Sequence, residues 1–224
     1  MQRSSSGSKR TTGSKAVAAV QSRPPGRTHA PGPRTKPAEI RREELMDAAE
    51  RLFLEKGIAA TSVEQIVAAA GVAKGTFYLY FASKDQLLIA LQQRYVATFA
   101  DSIRAAVDRC GDDDWAGRLR AWVEAAIGGY LDRQALHDLV FHEFRPDDHG
   151  PTHENRTAAH LTELLRGGTR AGIWSVEDPA LTAMMLFHAL HGLLDETLAS
   201  GGKISRARLT RAVQAHFRRV VDGP

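Results

Sequence analysis

Apolar residues recur at helical spacing along the chain from residue 38 onward. The first such run places Leu45, Ala49 and Phe53 on one face of a helix, and Gly57 ends it. The same spacing predicts further helices at 83–109, 115–129, 136–144, 161–165, 179–198 and 209–221. Alternating apolar and polar residues are missing and β-branched residues are sparse. We therefore predict an all-α fold of about nine helices, counting two short ones described next.

Two short helices joined by a tight turn follow the first long helix. Ser62 and Gln65 have the spacing of a capping box, which opens a helix. Gly71 stands at the position where a left-handed residue ends that helix. Residues 73–80 then form a second short helix. Two short helices across a glycine turn are typical of a helix-turn-helix.

The surface predicted for the second short helix is unusual. It opens with the small, polar and cationic residues Lys74, Gly75 and Thr76. Phe77 and Phe81 are four residues apart, so they share a face and should be buried. Tyr78 and Tyr80 should then present their hydroxyls outward. Because phosphates and base edges are bound by cations, hydroxyls and helix N-termini, this helix is predicted to bind DNA.

Residues 40–91 resemble the DNA-binding domain of the TetR family of transcriptional regulators. The matching features are the first helix, the Ser62–Val72 helix and turn, Lys74-Gly75-Thr76, Tyr78-x-Tyr80-Phe81 and Ser83-Lys84. The resemblance implies that the second short helix enters the major groove and that the DNA-binding residues are Ser62, Lys74, Gly75, Thr76, Tyr78, Tyr80 and Lys84. The family usually has serine at the position of Ala73, and losing that cap should cost the helix about 1 kcal/mol.

The helix predicted at 179–198 is apolar around its whole circumference between residues 180 and 194. Such a helix has to be covered on every side, by its own core and by a second copy of the chain. The last helix carries a further apolar stripe, Leu209, Val213, Phe217 and Val220. We predict a homodimer through these two helices, as the resemblance also implies. A helix buried within a monomer is the alternative.

Aromatic side chains on several C-terminal helices suggest an apolar cavity, since ligand sites often lie between the helices of a bundle. The same side chains would serve equally well as a packed core. We predict a small, largely apolar effector bound by Phe99, Ile103, Trp122, Tyr130, Phe141, His188 and His191.

The histidines of this region admit three interpretations. His188, His191 and Asp195 form one polar line on an otherwise apolar helix. They could line a pocket, bond one another as structural groups, or bind a metal ion. His137 and His142 are five residues apart, which separates them by about 140° at 3.6 residues per turn. We therefore predict no metal site.

Charge is distributed unevenly along the chain. The net charge is +4, but residues 1–37 carry eight Lys or Arg and no acid, which leaves the rest with 22 basic and 26 acidic residues. Nineteen of those 37 residues are Ser, Gly, Pro or Thr, so we predict a disordered basic arm, either a phosphate-attracting segment or a solvated leader. The predicted divisions are the arm at 1–37, the helix-turn-helix domain at 38–84, and a ligand-binding and dimerisation domain at 85–224.

Several classes of protein are disfavoured. One cysteine, Cys110, excludes an intrachain disulfide and fits a reducing cytoplasm. The apolar run at 179–194 has 16 residues, fewer than the roughly 20 needed to span a membrane. The sequence has no Gly-rich phosphate loop, nucleophile elbow or metalloprotease motif, so we expect neither an enzyme nor a cofactor.

Together these features predict a cytoplasmic, sequence-specific transcriptional regulator that binds a double-stranded DNA operator. A repressor released by its effector is the favoured form. A constitutive or activating helix-turn-helix regulator without a ligand is the alternative. The long helix at 83–109 belongs to both predicted sites, so we expect it to couple them.

Overall fold

The computed structural model describes residues 37–144, 155–201 and 204–223. Over these ranges the chain forms nine α-helices and one π-helical turn, with no strand, which confirms the all-α prediction. They are α1 (Ala38–Lys56), α2 (Val63–Ala70), α3 (Lys74–Tyr80), α4 (Lys84–Asp108), α5 (Trp115–Asp132), α6 (Gln134–Asp138), the π-turn (Leu139–Glu143), α7 (Arg156–Arg170), α8 (Pro179–Ala199) and α9 (Arg206–Asp222). The predicted arm lies outside the described residues except for Pro37.

Local signals set the ends of α2 as the sequence predicts. The Ser62 hydroxyl accepts a hydrogen bond from the Gln65 amide at 3.3 Å, and the Gln65 side-chain oxygen accepts one from the Ser62 amide at 3.0 Å. Gly71 ends the helix at φ 66° and ψ 34°, a left-handed conformation that glycine adopts without a Cβ clash. The turn between α2 and α3 is therefore defined by residues close in sequence.

The helices pack around two hydrophobic cores. The N-terminal core is formed by α1–α3 and the first half of α4, with a contribution from outside this segment: Leu136, Leu139, Val140 and Phe144 of the α6 region. The C-terminal core contains residues from the second half of α4, α5, α7, α8 and α9. Phe99 of α4 packs against both cores. The N-terminal core thus extends well past residue 84.

The end predicted for α5 is wrong. Gly128 and Gly129 lie inside the helix, which continues to Asp132. Both glycines are sites of close packing: a Cβ at Gly129 would lie 3.1 Å from the Phe99 ring, and one at Gly128 would clash with the Arg206 guanidinium. Both glycines thus mark places where side chains from elsewhere pack closely against α5, and neither ends the helix.

Helix α8 has one buried side and one exposed apolar side. Ala183, Leu186, Leu190 and Leu194 face the C-terminal core. The opposite side exposes the large apolar residues Leu181, Met184, Met185 and Leu193, which are 40–57% accessible.

No described helix is long and apolar enough to cross a membrane.

The apolar stripe of α9 differs from its predicted role. Leu209, Val213 and Phe217 are buried within their own chain, and the Phe217 ring lies 6.0 Å from the Trp122 ring of α5. This stripe is therefore unavailable to a second copy of the chain. The side of α9 left exposed includes arginines and the small residues Ala212 and Ala215.

Candidate functional site

Helix α3 is held by its aromatic residues and exposes the rest of its surface. Phe77 and Phe81 are buried, as their spacing predicts. Tyr78 is 52% exposed, whereas Tyr80 is half-buried and packs partly against the N-terminal core. Leu79 is 80% exposed, and its place on the free surface was not predicted. Leu79 and Gly75 are four residues apart and so share one face of the helix, which is the signal that could have shown it. The free surface of α3 thus combines a hydroxyl with an apolar side chain.

The first turn of α3 carries the cation expected at a nucleic-acid interface. Ala73 has extended backbone angles and provides no side-chain cap, as the sequence predicts. Lys74 is exposed, and its Nζ lies 2.5 Å from Oε1 of Glu64 on α2. This hydrogen-bonded ion pair lowers the pKa of Glu64 to about 2 and raises that of Lys74. The space beside the Cα of Gly75 is open: no atom of residues 37–144, 155–201 or 204–223 lies within 4 Å of where a Cβ would be. Another molecule can therefore approach this backbone closely.

Two further predicted contact residues have structural partners. Ser62 is exposed and caps α2. The Lys84 Nζ donates hydrogen bonds to the carbonyl oxygens of Ile58 at 2.8 Å and Thr61 at 3.1 Å. Lys84 therefore joins the start of α4 to the turn between α1 and α2. Thr76 is half-buried on α3, beside the exposed Lys74 and Gly75.

A cavity of about 660 Å³ lies among α4, α5, α6, the π-turn, α7 and α8. Five of the seven residues predicted to bind a ligand line it: Phe99, Trp122, Tyr130, Phe141 and His191. Ile103 does not line it and instead packs in the C-terminal core. His188 does not either, because it lies on the exposed side of α8.

The cavity also has polar atoms that the sequence reasoning did not identify. Tyr95 and Trp122 line the cavity, and among the described residues their hydroxyl and indole N–H are buried without a hydrogen-bond partner. Burial raises the pKa of Tyr95 to about 12, so the hydroxyl keeps its proton. The residue lies four positions before Phe99 on the same face of α4, which is the signal that could have revealed it.

A cluster of polar side chains forms part of the wall of this cavity. The Nε2 atoms of His137 and His191 are 3.3 Å apart. The His191 Nδ1 lies 3.3 Å from Oδ2 of Asp195, and Oδ1 of the same carboxylate accepts a hydrogen bond from the Tyr130 hydroxyl. The pKa of His137 is lowered, mainly because the imidazole is buried. Burial and then the bond to Asp195 raise the pKa of Tyr130.

The predicted divergence of His137 and His142 is wrong. The angle of about 140° assumes an α-helix, but the residues between these histidines belong largely to the π-turn. That turn has wider i→i+5 hydrogen bonding, including the bond from the Phe144 amide to the Leu139 carbonyl. Five residues therefore return nearly to the same side, and the two imidazole ring centres lie 5.3 Å apart.

Comparison with known families covers both parts of the chain. A family profile described as bacterial regulatory proteins, tetR family, matches residues 45–91. A second profile, described as the tetracyclin repressor-like C-terminal domain, matches residues 114–219.

Two curated relatives are similar to the N-terminal part. The HTH-type transcriptional activator FasR of Mycolicibacterium smegmatis is 37% identical over 89 residues, 40% of this chain and 40% of FasR. The HTH-type transcriptional repressor KstR2 of Mycobacterium tuberculosis is 35% identical over 68 residues, 30% of this chain and 34% of KstR2. The aligned part of the chain spans less than half the length of such relatives.

Solved structures are similar over a larger part of the chain. The fatty acid degradation regulator FadR from Bacillus halodurans has 27% identity and a TM-score of 0.62, covering 79% of this chain and 94% of that one. FadR from Bacillus subtilis, solved with stearoyl-CoA, has 20% identity and a TM-score of 0.65, covering 80% and 98%. The helix-turn-helix geometry, both profiles and these structures agree, and the chain belongs to the TetR family of bacterial regulatory proteins.

Proposed function

We propose that the protein is a transcriptional regulator that binds an operator through α3 and releases it when an effector fills the cavity. The exposed face of α3 carries the DNA-binding half of this proposal. Lys74 supplies a cation, Tyr78 a hydroxyl and Leu79 an apolar group suited to a thymine methyl, on a helix fixed by two buried phenylalanines. A regulator of this kind would act in the cytoplasm, where the chromosome is.

We propose a homodimer as the DNA-binding form. The exposed apolar side of α8 supports it, because such a stripe is stabilised when a second copy covers it. The small residues Ala212 and Ala215 on the exposed side of α9 would allow a close approach by a partner helix. Two recognition helices related by a two-fold axis would read a near-palindromic operator with half-sites about 34–36 Å apart, or a multiple of that spacing.

We propose a largely apolar effector that carries a hydrogen-bond acceptor. The cavity wall is rich in aromatic side chains. Within the described part of the chain the Tyr95 hydroxyl and Trp122 N–H have no hydrogen-bond partner, so they would donate to that acceptor. Helix α4 runs from the cavity to Lys84 beside the helix-turn-helix, so a displacement of α4 would move α3 out of register with its half-site. Repression with effector-induced release is the form we favour.

Selection of operators from random duplex DNA with the purified full chain tests this function. We expect enrichment of a two-fold symmetric site, and then a loss of affinity for it when fatty acids or acyl-CoAs of increasing chain length are added. These compounds are the first to screen because the cavity is apolar and a similar structure is a regulator of fatty acid degradation. Enrichment of asymmetric sites would contradict the dimeric mode of binding. Symmetric sites whose binding responds to no compound would favour the ligand-free regulator.

Replacing Glu64 with glutamine is expected to raise operator affinity about 2- to 10-fold at low salt. In the free protein Glu64 holds Lys74, so it competes with a phosphate for that cation and also repels the DNA. Fluorescence anisotropy with a labelled operator measures the change. Glu55→Gln removes another exposed acid, from α1, and is the matched control.

The contribution of Lys74 to this effect can be isolated. In a Lys74→Ala background, the gain from Glu64→Gln should fall to that of Glu55→Gln, because no cation remains to be released. Equal gains from Glu64→Gln with and without Lys74 would show that the ion pair does not limit DNA binding.

A further inference from the structure

The polar cluster beside the cavity brings together side chains that commonly bind metal ions. Ligand atoms of His137, His142 and Asp195 all lie within 4.8 Å of one another. His191 lies beside this group, with its Nε2 3.3 Å from that of His137 and its Nδ1 3.3 Å from Oδ2 of Asp195. These residues come from α6, the π-turn and α8, so the fold brings together groups that are more than 50 residues apart in sequence.

The spacing of the three ligand atoms suits one small ion. A tetrahedral zinc ion binds imidazole nitrogen at about 2.0–2.1 Å, which places two such ligands about 3.3–3.4 Å apart. The ligand atoms of His137, His142 and Asp195 are at most 4.8 Å apart, so side-chain rotations can bring them to this separation. The exposed ring of His142 can turn inward to complete the set, because its side chain is 54% accessible.

Outer carboxylates surround the donors in the way that metal-binding histidines require. A histidine ligand usually donates its second ring N–H to a carboxylate, which fixes the ring and its tautomer. Oδ1 of Asp138 lies 3.5 Å from Nδ1 of His137 and 3.4 Å from Nδ1 of His142. The Tyr130 hydroxyl orients Asp195 in turn.

The cluster is reachable from outside the apolar cavity. A second cavity of about 450 Å³ is lined by Tyr130, Asp138, His142, Asp195 and Glu196. Tyr130 lines both cavities, so the donor groups lie between an apolar space and a polar one. An ion therefore has an entry path lined by carboxylates.

We propose that His137, His142 and Asp195 bind one divalent transition metal ion, with water completing its coordination. Nitrogen ligands with one carboxylate select ions such as zinc and cobalt over magnesium and calcium, which prefer oxygen. The site is independent of the DNA-binding proposal, because none of its residues belongs to α1, α2 or α3.

Cobalt titration of the tag-free full chain, after treatment with a chelator, tests the proposal. We expect a visible absorption band of tetrahedral Co²⁺ that saturates at one ion per chain, is displaced by one equivalent of Zn²⁺ and persists in excess Mg²⁺. His142→Gln and Asp195→Asn should each weaken zinc binding by about 10-fold or more. Both side chains are partly exposed, so these variants should keep the helical circular-dichroism spectrum of the parent.

His188→Gln is the matched control, because it removes an exposed histidine from the same helix as His191. It should bind zinc as tightly as the parent. The proposal is overturned if the parent shows no saturable cobalt band. It is equally overturned if His142→Gln and Asp195→Asn bind zinc as tightly as the parent, which would assign the ion to other histidines.

Discussion

Replacing Met185 with aspartate is expected to produce a monomer and to lower operator affinity by about 100-fold or more. Met185 is 57% exposed in the middle of the apolar side of α8, where the proposed partner copy would bury it. An unpaired carboxylate buried there would cost several kcal/mol, and about 2.7 kcal/mol already corresponds to 100-fold. Sedimentation equilibrium would report the oligomeric state, and an anisotropy titration the affinity.

Ile173→Asp is the control for this substitution. Ile173 is 55% exposed but lies in the turn after α7, away from the α8 stripe. It should leave both the dimer and the operator affinity unchanged. A Met185→Asp protein that remains dimeric would show that the interface lies elsewhere on the chain.

Replacing Phe99 with alanine is expected to reduce the effect of an inducer on operator affinity by about 10-fold or more. Phe99 lines the cavity, stacks on Tyr95 at 6.0 Å between ring centres, and packs against both cores. Its loss removes a side chain that lines the cavity and that packs against both hydrophobic cores. Since allosteric coupling is typically about 1–3 kcal/mol, one such contact can account for most of it. DNA titrations with and without saturating inducer measure the change.

Ile103→Val provides the comparison on the same helix. Ile103 is fully buried in the C-terminal core but does not line the cavity, so this change should lower stability by about 0.5–1.5 kcal/mol and leave the inducer response intact. Operator affinity without inducer should be nearly the same in Phe99→Ala and the parent. An undiminished inducer response in Phe99→Ala would move the coupling element away from α4.

Features set by neighbouring residues can be predicted from the sequence. The capping box of Ser62 and Gln65 and the left-handed Gly71 depend on atoms within a few positions along the chain. The burial of Phe77 and Phe81 follows from their spacing of four, once α3 is recognised. This is why the sequence predicts the helix-turn-helix almost residue by residue.

Features set by distant residues cannot be predicted in this way. Gly129 resembles a helix end in the sequence, because nothing nearby shows that the Phe99 ring packs against it. The π-turn has no sequence signal of its own, so the approach of His142 to His137 is missed. Ile103 and Phe99 are equally apolar and one helical turn apart, and only the packing of α5 and α8 shows which one faces the cavity.

The four apolar residues that the α6 region contributes to the N-terminal core also bear on how the protein unfolds. A fragment ending after the first turns of α4 would leave the partners of Leu136, Leu139, Val140 and Phe144 in contact with water. We therefore expect the DNA-binding helices to unfold together with part of the cavity wall, which includes His137 and Phe141. A compound that binds in the cavity should slow hydrogen exchange at amides of α1 and α4 as well as at those it touches. Ligand binding would thus affect the DNA-binding helices through their local stability as well as through the position of α4.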